Sequence, residues 1–347
     1  MEADYKDRSQ VPPFDPIAAI GAELGELQQL AENVPTQSGM FSVRTANRTI
    51  QEAANRPDPI PLWLTLWYQG EVCCLFADSN LGKSIYAVQI ASSIAEKSKV
   101  LYFDFELSDK QFQLRYTNES TGTLHRFPAN LYRVEIACDC QYPESGFEDA
   151  IIMGIERLAV EAECRILIID NLSYLCMTSE KGEDAGRLMS RLMELKRKYG
   201  LSMLILAHTP KRQLNMPITQ NDLAGSKKLY NFFDSVFAIG KSAKDDRLRY
   251  VKQLKVRAGE FLYDANNIIV YELEKSSGFV HFEFKEYSTE KEHLRERTES
   301  DEEKQLKRIK ELKAQGKSVR DIAALVGLSK SKVWRLLQSH PDEEPQQ

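Results

Sequence analysis

From about residue 70 to 210 the hydrophobic pattern switches repeatedly between two periods. Short apolar or β-branched runs, EVCCLFA (71–77), KVLYFDF (99–105), NLYRVEI (130–136), RILIID (165–170) and LSMLILAH (201–208), predict strands. Between them lie stretches of helical period at 85–95, near 109–118, at 147–163 and at 184–199. Strands alternating with helices predict a parallel sheet covered on both faces, an α/β fold. Further strand candidates follow in SVFAIGKS (235–242), LRYVKQLKV (248–256) and the pair NNIIVYELE and GFVHFEFKE (266–286), expected as an antiparallel extension of the same sheet. The charge-dense stretch KEYSTEKEHLRERTESDEEK (285–304) predicts a solvated linker or helix, and a compact helical tail comes after it. Before the alternating region, scattered prolines and one helix-like stretch, Ile17 to Glu32, suggest an N-terminal arm packed on the next domain. The expected organisation is therefore an arm (1–60), a core (61–287), a charged linker (288–302) and a helical tail (303–347).

Composition narrows the class. At 347 residues, 42% hydrophobic and 28% charged, the chain has the makeup of a globular protein with a sizeable core. Its longest apolar runs are far shorter than the roughly 18 residues a membrane helix needs, and its first ten residues are too polar for a signal peptide. A cytoplasmic protein without a membrane partner is expected. The six cysteines lie mostly within apolar runs, as reduced core thiols do, and Cys138-Asp139-Cys140 lacks a second ligand pair at zinc-finger spacing. The net charge of -5 argues against a surface basic all round. Yet from Lys304 to Arg335 ten Lys and Arg face only two acids, so the basic charge is concentrated in the tail.

The chemistry starts at FADSNLGKS (76–84). This segment ends like the phosphate-binding pattern G-x-x-x-x-G-K-[ST], but Ala77 stands where the first glycine is usual. It sits between a predicted strand and a predicted helix, the context in which successive backbone N–H groups and a helix dipole bind phosphate. Ala77, Asp78, Ser79, Asn80, Leu81, Gly82, Lys83, Ser84 and Ile85 are thus candidate nucleotide contacts. Gly82 would allow close backbone approach, Lys83 would neutralise phosphate charge and Ser84 would ligate Mg²⁺. Three other strand ends carry polar groups toward the edge where open α/β sheets bind ligands. Asp170 could hold the Mg²⁺ water shell, Glu106 could deprotonate an attacking water, and His208 could sense the γ-phosphate.

The order of loop, Glu106, Asp170 and His208 resembles that of the RecA-like ATPases, most closely the branch of DnaB-type and RepA-type hexameric replicative helicases and their relatives in plasmids and mobile elements. The resemblance covers roughly 60 to 285. It implies ATP and Mg²⁺ as cofactors, Glu106 as general base, Asp170 as the Walker B carboxylate, and His208 with Arg212 as the coupling between nucleotide and DNA-facing loops. NDLAGSKKLYNFFDSVFAIGKS looks like the family segment in which Gly225 and Ser226 precede Asp234 and a strand. VKQLKVRAGE is similar to an element that reaches into the neighbouring subunit's site, so Lys255 and Arg257 are candidate trans-acting cations in a ring, expected to be a hexamer. Lys211 and Arg212 would touch the phosphates of a single strand passing through that ring, although the aromatic residues of a stacking channel are not evident there.

In the tail, GKSVRDIAALVGLSKSKVWRLLQ strongly resembles the helix-turn-helix of resolvase and recombinase type domains. Ser318 and Ser329 are expected to cap helices, Gly327 to mark the turn, and Ile322, Ala323, Val326, Leu328, Val333 and Leu336 to form a core. The helix from Ser329 to Gln338 would then enter the major groove of duplex DNA, with Lys330, Ser331, Lys332 and Arg335 as contacts. Together these resemblances imply an ATP-driven helicase or DNA-remodelling motor. The alternative is a DNA-binding regulator that uses ATP as an oligomerisation switch without separating strands.

Overall fold

The computed structural model of the chain describes residues 37–38, 41–137, 146–175, 182–209, 214–223, 227–295 and 299–339. The backbone divides into two units, 1–58 and 59–347. In the first, a short antiparallel pair, β1 (Gln37–Ser38) and β2 (Phe41–Ser42), precedes helix α1 (Ala46–Ala54). Thr45 caps α1 by accepting from the Arg48 N–H, and Glu52 pairs with Arg44 and Arg48. The expected helix at 17–32 lies outside the described residues.

The second unit opens with a small hairpin, β3 (Pro61–Trp63) and β4 (Trp67–Tyr68), and is built on a nine-stranded sheet. Its parallel strands are β5 (Val72–Ala77), β6 (Val100–Asp104), β7 (Leu131–Val134), β8 (Ile166–Asp170), β9 (Ser202–His208) and β10 (Ser235–Lys241). β11 (Leu248–Lys255), β12 (Ile268–Ser276) and β13 (Phe279–Ser288) extend it antiparallel. Across the sheet the order is β13-β12-β11-β10-β5-β9-β8-β6-β7. One expectation changes here. SVFAIGKS does not belong to the antiparallel extension: as β10 it runs parallel to β5, with Ser235 beside Cys73. Its fully buried pattern suits an interior parallel strand, with β11 on its other side to start the antiparallel run.

Alternation along each strand sorts the core into two layers. On one face, Val72, Cys74, Phe76, Leu167, Ile169, Met203 and Ile205 pack against α4 (Phe147–Glu161) and α6 (Gly182–Tyr199). On the other, Cys73, Leu75, Tyr102, Ile168, Leu204 and Leu206 pack against α2 (Lys83–Ala95). The result is a mixed α/β fold whose mostly parallel sheet is flanked by helices, as a RecA-like core requires. Short helices α3 (Asp109–Arg115), α5 (Leu172–Leu175) and α7 (Lys227–Phe232) follow β6, β8 and β9. Cys73, Cys74 and Cys164 are free and buried, whereas Cys138, Cys140 and Cys176 lie outside the described residues.

The stretch expected as a solvated linker is in part structural. β13 extends through it to Ser288, and a 3₁₀ turn at Glu290–His293 buries both of its terminal side chains. Glu290 pairs with Lys252 of β11 and accepts the Ile218 N–H at 2.7 Å. Charge density alone did not predict this, because the partner lysine lies nearly forty residues upstream. The tail contains three helices: α8 (Glu299–Ala314), α9 (Val319–Val326) and α10 (Lys330–Ser339). Ile309, Leu312, Ile322, Ala323 and Val333 are buried together, with Val326, Leu328 and Leu336 packed against them. Ser318 caps α9 by accepting the Asp321 N–H, Gly327 ends it in the left-handed region at φ 68°, and Ser329 accepts the Lys332 N–H.

Candidate nucleotide and hydrolysis site

The parallel strands β5, β9, β8 and β6 are adjacent, so their C-terminal ends bring Ala77, His208, Asp170 and Asp104 to one edge of the sheet. The loop 78–82 leads from β5 into α2. Asn80 and Gly82 take positive φ, 64° and 92°, within it. Asparagine tolerates that region better than most side chains, and glycine meets no penalty there. Gly82 has a second reason to lack a side chain, since a Cβ would come within 3.0 Å of the Phe282 ring. Ala77 needs neither property. It is the last residue of a regular strand, its φ is not positive, and its methyl packs in the core. Leu81 is also buried in that core, which accounts for its bulk in a tight loop.

Lys83 begins α2 and is buried. Its ammonium donates to the Ala77 carbonyl at 3.2 Å and lies 3.3 Å from His208 Nδ1. Burial lowers its pKa, while Asp170, Glu106 and Asp78 pull the other way. Asp170, also buried, accepts from the Tyr102 hydroxyl at 2.7 Å and from Ser84. Burial pushes its carboxyl up to about 6, aided by the charges of Glu106 and Asp104 and opposed by those two hydrogen bonds. A carboxylate so placed gains from a nearby cation, because the cation offsets the cost of burying its charge.

His208 joins the two halves of the site. Its Nδ1 lies 3.3 Å from the Lys83 ammonium, and its Nε2 lies 3.4 Å from Glu106 Oε1. Asn171 fixes the same carboxylate. Its Oδ1 accepts the Tyr174 N–H, which turns its amide nitrogen toward Glu106 Oε1, and the two hydrogen-bond. That nitrogen also lies within hydrogen-bond distance of His208 Nε2, at 2.9 Å, so Asn171 links the carboxylate to the imidazole. Lys83, Glu106, Asp170 and His208 thus form one connected cluster, the grouping expected from their positions at strand ends.

The remaining sequence-derived candidates are placed elsewhere. Lys255 sits beside Val236, which in turn pairs with Cys74 near the start of β5, so Lys255 and Arg257 lie at the opposite edge of the sheet from the loop. Arg257 pairs with Asp234 at 2.9 Å, and Lys255 donates to the Tyr230 carbonyl and stands 5.1 Å over its ring. Burial opposes the charge of Asp234, but Lys196, the Val72 N–H and Arg257 outweigh it and hold the carboxyl low. Lys211, Arg212, Gly225 and Ser226 lie outside the described residues. Lys330, Ser331, Lys332 and Arg335 are exposed on α10, together with Trp334. Among the described residues no group of three or more His, Cys, Asp or Glu could hold a metal by itself. A cation at Ser84 and Asp170 would therefore need further ligands from a bound phosphate or water.

Four residues of the site escaped the sequence reading: Tyr102, Asp104, Arg133 and Asn171. Tyr102 and Asp104 share the face of β6 that carries the cluster, a period-2 signal present in LYFD. Asn171 follows Asp170 directly. Little in the local sequence marks Arg133, whose partners apart from Glu135 come from β6, the loop after it and the start of α3.

Residues 42–213 match the family model of the AAA domain, a stretch that includes the loop, Glu106, Asp170 and His208. No curated protein matches the chain's sequence. Among solved structures, a KaiC-like protein from the hyperthermophilic archaeon Pyrococcus horikoshii OT3 is similar at 14% identity and a TM-score of 0.46, over 64% of this chain and 95% of that one. No helix among the described residues is long and apolar enough to cross a membrane. The stretch that matches the AAA domain carries the loop together with the Glu106, Asp170 and His208 cluster, a grouping that suits the binding of a nucleotide.

Proposed function

We propose that the chain is an ATP-hydrolysing, DNA-binding motor, a helicase or DNA-remodelling ATPase of the RepA/DnaB type that works as a homo-oligomeric ring, with a hexamer as the expected size. The observation that carries hydrolysis is the convergence of Lys83, Glu106, Asp170 and His208 at one sheet edge next to a helix N-terminus. These residues suit a nucleotide and its magnesium ion: a glycine where a Cβ would clash, a buried cation, and a buried carboxylate beside a hydroxyl. Bound ATP with Mg²⁺ would supply the phosphoryl group and the charge neutralisation for its transfer. The protein's own part is to hold phosphate oxygens with loop N–H groups and Lys83, to keep Ser84 and Asp170 on the metal side, and to present Glu106 to a water. Lys255 and Arg257 would act on the neighbouring subunit's site, which agrees with their place at the far edge of the sheet.

Support for DNA binding is the compact three-helix tail, whose exposed α10 face carries Lys330, Ser331, Lys332 and Arg335. In this reading α10 contacts duplex DNA, while Lys211 and Arg212 contact a single strand. The test is unwinding of a forked duplex by wild type, Lys83→Ala and Glu106→Gln. Strand separation by wild type alone is expected. DNA-stimulated hydrolysis without separation would remove the helicase reading in favour of a DNA-binding regulator that uses ATP as an oligomerisation switch.

A further inference from the structure

Glu106 lies in the loop after β6, and the hydrogen bonds that hold this loop's backbone centre on Arg133. This side chain leaves β7 beside Tyr102 of β6. Its Nε donates to Asp104 Oδ2 at 2.9 Å. The other oxygen of Asp104 accepts the N–H groups of Glu106 at 3.2 Å and Leu107 at 3.0 Å. Arg133 Nη2 donates to the Leu107 carbonyl, and Nη1 pairs with Asp109 and, at 3.1 Å, with Glu135. The Phe112 ring covers the guanidinium at 5.1 Å. One arginine therefore grips Asp104 two residues before Glu106, Leu107 directly after it and the first turn of α3, while making no bond to the Glu106 carboxylate. On its other side the loop is tied to β8 by the Phe105 N–H, which donates to the Asp170 carbonyl at 2.9 Å.

We infer that Arg133 is a positioning residue for hydrolysis, which sets the direction of the Glu106 carboxylate through Asp104 and the Leu107 carbonyl; this rests on the hydrolytic reading above. Asp104 is almost fully buried, and Arg133 is the only cation bonded to it among the described residues. Without that partner a buried carboxylate is left uncompensated, and its grip on the two loop N–H groups weakens. A general base misplaced by about 1 Å can lose on the order of 10²-fold in rate, although nucleotide contacts made by the loop 77–85 are untouched.

The test compares Arg133→Gln and Arg133→Lys with wild type in the full chain, using steady-state ATP hydrolysis and binding of a fluorescent ATP analogue. We expect kcat to fall about 10- to 100-fold in Arg133→Gln with the analogue's Kd within about twofold of wild type. Arg133→Lys, which restores a cation beside Asp104 but not the fork that also reaches Leu107, should recover part of the loss. In a Glu106→Gln background Arg133→Gln should cost no more than about a further twofold, because there is no base left to misplace. Should Arg133→Gln misfold, Arg133→Lys carries the same comparison in both backgrounds. Unchanged kcat in both Arg133 variants, an equal loss with and without Glu106, or a change confined to Kd would each overturn the positioning role. Inactivity of wild type itself would overturn the hydrolytic reading instead.

Discussion

At the scale of single residues the phosphate loop gives opposite forecasts for its two small positions. Ala77 occupies a strand without positive φ, so Ala77→Gly should leave the KM for ATP within about twofold and cost about 0.5–1 kcal/mol through backbone entropy, measured by urea denaturation. Gly82 sits at φ 92° against the Phe282 ring, so Gly82→Ala should cost about 1–3 kcal/mol and weaken ATP binding at least tenfold. A large rise in ATP affinity in Ala77→Gly would show that the missing glycine matters after all. Spacing alone could not make this distinction. GKS marked the loop, whereas only the course of β5 shows that Ala77, five residues before Gly82, stands where nothing is asked of glycine.

At the scale of elements, the 3₁₀ turn at Glu290–His293 pins the end of β13 to the sheet. His293 is buried; its Nδ1 lies 2.8 Å from the Ser242 hydroxyl, its ring is 6.0 Å from that of Tyr250, and no atom of the described residues partners its Nε2. Burial lowers its pKa, Lys244 adds to that, and Glu286 and Glu292 oppose it. The folded state thus binds a proton less readily than the unfolded chain. The stability His293 confers is complete above the unfolded value of about 6.5 and is lost as pH falls through and below it. A His293→Asn variant should be less stable than wild type at pH 8 and show a flatter dependence between pH 7 and 5 in denaturant titrations. Parallel curves for the two proteins would contradict this assignment. The neighbouring Lys252–Glu290 pair shows why this element was missed: a run of charges reads as solvated until a distant lysine is known to face it.

At the scale of the whole molecule, the separation of Lys255 and Arg257 from Lys83 has a direct consequence. They cannot serve the loop of their own chain, so any catalytic part they play requires a second copy. Mixing Lys83→Ala with Arg257→Ala should restore part of the hydrolysis that each lacks alone, because a mixed pair contains one intact loop facing one intact arginine. No recovery on mixing would leave Arg257 as a partner of Asp234 only. The same argument predicts a larger assembly by size measurement with ATP and Mg²⁺ than without. Removing 300–347 should lower duplex affinity and leave basal hydrolysis near wild type, since the tail's apolar core is its own. Unchanged duplex affinity would take the tail out of the DNA-binding account.

The sequence by itself determined the elements and the chemistry-bearing positions. Strand and helix periods are local, so β5, β6, β8 and β9 could be delimited within a residue or two, and the polar residue closing or following each was visible as a break in an apolar run. The caps of the tail helices were legible for the same reason, since Ser318 and Ser329 act on N–H groups three residues away. The tertiary structure decided what depends on neighbours distant in sequence. It put β10 parallel beside β5, buried Glu290 against Lys252, and set Lys255 and Arg257 at the far edge. It also brought Arg133 onto the loop that carries Glu106. Strand order and side-chain partnership are long-range properties, fixed by which faces can be buried together, and no spacing along the chain encodes them directly.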